Sequence, residues 1–102
     1  MTEIILKTGW KHWDMYLSKF VGKKNIIMEI GAYKGEATKW FLKNLCNNNE
    51  SLVIAIDTWQ GSPEYTDVDF NIIENEFDRN ILETGKHNQV IKIKKKIIKC
   101  IN

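Results

Sequence analysis

The sequence predicts an α/β fold, a partial doubly wound parallel sheet of about three strands with flanking helices, and three observations predict it. Short β-branched runs at 25–30, 52–56 and 89–94 alternate with stretches whose apolar residues recur at helical spacing. The run at 52–56 is apolar throughout, the pattern of a central parallel strand buried on both faces. Glycines Gly31, Gly35 and Gly85 stand where elements of different period meet.

Taken in order, Trp10, Trp13, Leu17 and Phe20 fall at intervals of three, four and three, which gives a leading helix over 10–20, ended near Gly22. Asn25 to Ile30 is too short and too β-branched for a helix and reads as the first strand. From Gly35 to about Cys46, Ala37, Trp40, Phe41 and Leu45 share one helical face while Lys39 and Lys43 look away from it. Asn47, Asn48 and Asn49 then end the helix, because their side chains compete for backbone groups. Leu52 to Ile56 is the second strand. Residues 58–69 form a loop containing Gly61 and Pro63, with Asp69 as N-cap of a third helix marked by Phe70, Ile73, Phe77 and Ile81. Gly85 stops that helix, and Gln89 to Lys94 is the third strand. The last segment, 94–102, fits a short helix and a frayed strand equally well. The whole is a single domain, 1–102, with a βαβαβ unit over 25–94.

Composition narrows the class. A 102-residue chain buries only about two-thirds of its unfolded surface, so the stability margin is thin. With 43% apolar and 27% charged residues it is expected to fold as a soluble domain. No apolar run approaches the roughly 18 residues of a membrane span, and the N-terminus lacks a basic start, so a cytoplasmic protein without membrane contact is expected, in the host cytoplasm if the source is viral. Cys46 and Cys100 form no CxxC pair and have no histidine at ligand spacing; reduced thiols and no metal are expected. His12 and His87 likewise have no partner that suggests a base or a ligand. A net charge of +2 gives no reason to expect nucleic acid. The five lysines of 92–99 read as a solvated tail. Fourteen lysines, fifteen isoleucines and ten asparagines fit an AT-rich genome.

The chemistry is concentrated in Glu29-Ile30-Gly31-Ala32-Tyr33-Lys34-Gly35-Glu36-Ala37-Thr38, at the junction of the first strand and the second helix. A ligand there sits outside the carboxyl end of a parallel strand. Gly31 allows a sharp turn and close backbone approach, while Gly35 opens the helix and permits close helix–strand contact. Dinucleotide loops use GxGxxG to seat a pyrophosphate; here an acid precedes the first glycine and Tyr33 stands where the second would be. Glu29 repels phosphate and attracts an ammonium. A nicotinamide-dependent site is therefore disfavoured. Asp57 ends the second strand 22 positions after Gly35, where an acid in such folds accepts both ribose hydroxyls. Trp59 follows as a ring for adenine.

MEIGAYKGEAT followed by VIAIDTWQG resembles motif I and the acidic second-strand motif of class I S-adenosylmethionine-dependent methyltransferases, a Rossmann-like family. It is most similar to the branch with an ExGxxxGxST-like loop and a DTW-G segment, which includes enzymes acting on sugars and small secondary metabolites. The resemblance covers roughly residues 20–95 and implies S-adenosylmethionine as cofactor. It implies that Glu29 and Gly31 bind the methionine part, that Gly35 sets the loop and that Asp57 holds the ribose, with Ala32, Tyr33, Thr58 and Trp59 completing the site. The family's fourth strand, with its acidic motif, is not seen after residue 94. The chain is therefore expected to be a truncated, N-terminal cofactor half with weak or no methyltransferase activity. The rival expectation is a non-catalytic module that forms a homodimer or docks through its open sheet edge.

Overall fold

The computed structural model describes residues 16–60 and 68–96. Trp10, Trp13 and His12, the loop centre at 61–67 and the tail from 97 with Cys100 lie outside them. The chain runs β1 (Ile26–Ile30), α1 (Glu36–Leu45), β2 (Leu52–Asp57), α2 (Phe70–Glu83) and β3 (Val90–Lys94), with 3-10 turns at Ser18–Phe20 and His87–Gln89. The strands lie in the order β1-β2-β3, each pair parallel, with Ile27 beside Val53, Val53 beside Val90, and Asp57 beside Lys94. This is the partial Rossmann-like α/β arrangement that the alternation of periods calls for.

Pleating sends alternate residues to opposite sides of the sheet. Ile27, Val53 and Ala55, each at most 1% exposed, join Phe41, Leu42 and Leu45 of α1 and Ile73, Phe77 and Ile81 of α2 in one core. Each large apolar side chain buried there contributes about 1.5–3 kcal/mol. The buried face of α1 is Thr38, Phe41, Leu42 and Leu45, while the expected Ala37 and Trp40 are only half-buried. The helix lies in the corner between sheet and α2, which turns its buried arc toward Leu42. On the other side of the sheet the pleat places Met28, Ile30 and Ile91, which are 41%, 66% and 45% exposed. On that side of β2, Leu52 and Ile54 are half-buried and Ile56 is buried, so among the described residues the far face of β2 is partly covered as well.

The element ends are chemically closed. Asp69 caps α2 by accepting from the Asn71 N–H at 2.9 Å. Asn48 Oδ1 accepts from the Glu50 N–H at 2.9 Å, the side-chain competition expected of the asparagine run. The orphan carbonyls at the end of α1 are met from the far end of α2: Lys86 Nζ donates to Leu42 and Cys46 carbonyls at 3.1 and 3.0 Å. Buried Asn25 ties β1 to its surroundings, its Nδ2 donating to the Phe20 and Leu45 carbonyls. Gln89 belongs to a 3-10 turn rather than to β3. Among the described residues no helix is long and apolar enough to cross a membrane.

Candidate functional site

The carboxyl ends of β1 and β2 are adjacent, and the turn after each is fastened to the other. The β1 ladder runs on into its turn, because the Gly31 and Ala32 N–H groups both donate to the Ile56 carbonyl, at 2.8 and 3.2 Å. The chain then folds back through Tyr33, with a Gly35 N–H bond to the Ala32 carbonyl at 2.9 Å, and enters α1. Gly31 (φ +83°) and Gly35 (φ +82°) are both left-handed, which glycine adopts without strain.

Asp57 is the centre of the fastening. Its Oδ2 accepts from the Tyr33 N–H at 2.9 Å and its Oδ1 from the Trp59 N–H at 3.0 Å. The Trp59 indole N–H returns to the Tyr33 carbonyl at 2.8 Å. Tyr33 (φ 52°) and Trp59 (φ 48°) are the non-glycine residues with positive φ among those described. Left-handed backbone disfavours both, on the order of 1–2 kcal/mol each, and two charge-assisted amide bonds to one carboxylate offset it. Strain held in this way clusters at ligand sites. Each Asp57 oxygen keeps an acceptor position after its amide bond, so the carboxylate can still receive two hydroxyls.

Glu29 lies on the helix side of β1, where its carboxyl and the fully buried Thr38 hydroxyl of α1 hydrogen-bond. Burial pushes the carboxyl up to about 7; the Thr38 bond works against the shift and the negative Asp57 adds to it. Asn80 of α2 donates to the Lys34 carbonyl at 2.8 Å and holds the back of the turn.

The predicted site residues separate. Glu29, Gly31, Ala32, Tyr33, Gly35 and Asp57 gather at one place. Thr58 lies beside them and accepts from the Gln60 N–H at 3.2 Å. Trp59 is placed differently from expectation: it is 2% exposed and packs at 5.0 Å against Phe77, with Lys92 Nζ 4.9 Å from its ring centre. Its positive φ turns the indole into the core, so its ring has no free face for an adenine. Tyr33, 45% exposed and edge-on to Phe70 at 6.4 Å, is the open aromatic on the turn. Gly35 also serves a partner other than the expected strand, since a Cβ there would stand 2.8 Å from the Phe77 ring of α2.

Thr38 and Asn80 take part in the site although no sequence pattern assigns them to it, and Phe77, expected on the apolar face of its helix, is buried there and also packs against Gly35 and Trp59. Thr38 lies within the stretch 29–38, and its place one turn into a helix above an acidic strand end is the available signal. Lys92 and Lys94 are not a solvated tail: they bond to Glu74 at 2.7 Å each, and Lys92 also to Asp78 at 2.9 Å. Those bonds lower the Glu74 pKa. They also raise that of Lys92, outweighing the burial that alone would lower it. Cys46 is buried and free, its thiol pushed up to about 11 by burial against the opposing pull of Lys86. Among the described residues no cluster of three metal-ligating side chains occurs.

The class this geometry defines is a parallel α/β half-sheet with a glycine turn and a carboxylate at adjoining strand ends. Neither a family model, nor a curated protein, nor a solved structure gives a significant match to the chain.

Proposed function

We propose that this chain is an S-adenosylmethionine-binding unit of a methyltransferase, seating the cofactor on the Gly31 turn with its ribose on Asp57. The observation that carries this reading is the Asp57 carboxylate, bonded to the turn of the neighbouring parallel strand and keeping one acceptor position per oxygen. A nucleoside offers two hydroxyls at the spacing of a carboxylate, and each such charge-assisted bond contributes about 1.5–3 kcal/mol. Glu29, beside the start of α1, disfavours a pyrophosphate and suits the ammonium of the methionine part. Tyr33 takes the base in place of Trp59. The reaction is methyl transfer to a small molecule or sugar by direct displacement, in which the protein mainly positions donor and acceptor. Titration calorimetry with S-adenosylhomocysteine tests the reading: saturable heat is expected at ligand concentrations up to the millimolar range, and none from a demonstrably folded sample sinks it.

A second reading is favoured by β1, which is an edge strand in the described sheet and carries the exposed Met28 and Ile30. An open edge of this kind is a template for another strand, and the chain then serves as a module that dimerises or docks there. Light scattering across a hundredfold concentration range separates the two, because a strict monomer counts against dimerisation.

A further inference from the structure

We infer that the ligand of this turn is a cation that takes the place of a proton on Glu29, so that binding releases that proton to solvent. The inference rests on the cofactor reading for the identity of the cation, the ammonium of the amino-acid part, and on the surroundings of Glu29 for the exchange itself. Among the described residues the one hydrogen-bond partner of its side chain is the Thr38 hydroxyl. A hydroxyl donates to a carboxylate and accepts from a carboxylic acid, so this bond survives in either state, whereas a lysine or arginine would have fixed the charged one.

No such cation reaches Glu29 among the ion pairs of the described residues. From β2 the facing group is Asp57, itself an acid that disfavours a second negative charge. From the turn, Lys34 is drawn off to Glu76 of α2 at 3.9 Å. From β3, Lys92 and Lys94 are held by Glu74 and Asp78 of α2. From α1, Glu36 and Lys39 are exposed. With burial and Asp57 holding its carboxyl near 7, Glu29 is about half protonated in the empty site at neutral pH. A ligand that brings the missing positive charge binds the ionised form better. By linkage it lowers the Glu29 pKa and drives the proton off. One O–H bond on Glu29 breaks, the proton goes to the buffer, and the ammonium supplies the countercharge.

Calorimetry with S-adenosylhomocysteine at pH 7, in two buffers of different ionisation enthalpy, reads the proton count. Release of about half a proton is expected, with binding roughly tenfold weaker at pH 6 than at pH 8. Glu29→Gln is expected to bind more weakly, with no release and a flat profile over the same range. Heat without proton release overturns the inference and leaves the cofactor reading standing; no heat at any pH ends both. In the free protein, a carbon-13 carboxyl titration, assigned by the signal that Glu29→Gln removes, is expected to have its midpoint near 7. A midpoint in the ordinary glutamate range overturns the inference whatever the ligand does.

Discussion

Replacing Glu29 by glutamine should stabilise the folded protein more and more as pH rises, and the size of the gain follows from where the carboxyl sits. The unfolded chain ionises Glu29 near 4.5 and the folded one near 7. Between those values the folded state holds more of the proton, so stability falls as pH rises through the window. Linkage gives a wild-type penalty from this group of about 1 kcal/mol at pH 5 and about 3 kcal/mol at pH 8. Both figures are upper bounds, because Glu29 is half-buried and solvent screens part of its charge. Glutamine keeps the shape and the bond to Thr38 without a charge to desolvate. The difference in unfolding free energy between Glu29→Gln and wild type, from urea titrations at pH 5 and pH 8, should therefore grow, by up to about 2 kcal/mol. Using the difference removes the titration of every group the two proteins share. A constant difference would show that Glu29 ionises normally, and one that shrinks with pH that the fold favours its charged form; either result refutes the reasoning.

Other outcomes follow from the same geometry. Gly35→Ala should cost about 2–4 kcal/mol, from a left-handed backbone and a Cβ driven against Phe77, whereas Gly31→Ala, with open space around it, should cost only about 1–2 kcal/mol; urea unfolding of the pair measures the contrast. Asp57→Asn should lose a charge-assisted bond to Tyr33 or Trp59 and cost about 1.5–3 kcal/mol, together with a loss of S-adenosylhomocysteine heat. Tyr33→Ala should weaken that ligand by about 1 kcal/mol, while unfolding changes little, if Tyr33 is the ring that takes the base. Cys46 should resist iodoacetamide at pH 8 until denaturant is added, as read by peptide mass spectrometry, because a thiol held near 11 is almost wholly protonated there.

The fold was legible wherever one signal acted alone. Isoleucine-rich runs of five or six residues had no helical alternative, and Asp69 announced the start of α2 by its own side chain. The meeting of Gly31 with Asp57 was legible because successive parallel strands joined by one helix bring their carboxyl ends together. The direction of Trp59 was not. A residue two places past a strand points where its φ sends it, and that φ is fixed by Asp57 and by the Tyr33 carbonyl, 26 residues away. The partner of Gly35 was hidden for a similar reason, since Phe77 arrives from a helix whose packing angle no local pattern records. Lys92 and Lys94 read as part of a run of like charge because their acids, Glu74 and Asp78, lie on the preceding helix.

The short stretch between α2 and β3 has a consequence for how the domain comes apart. The Gln89 side-chain amide donates to the carbonyls of Cys46, Asn48 and Ser51, at 3.2, 3.0 and 3.1 Å, and Lys86 serves the helix end just before them. Peeling β3 away would take these donors from the part-buried carbonyls between α1 and β2. The turn that leads into β3 is thus a keystone for the end of α1, and amide exchange near Asn48 and near Val90 should proceed at one common rate, as a single opening event.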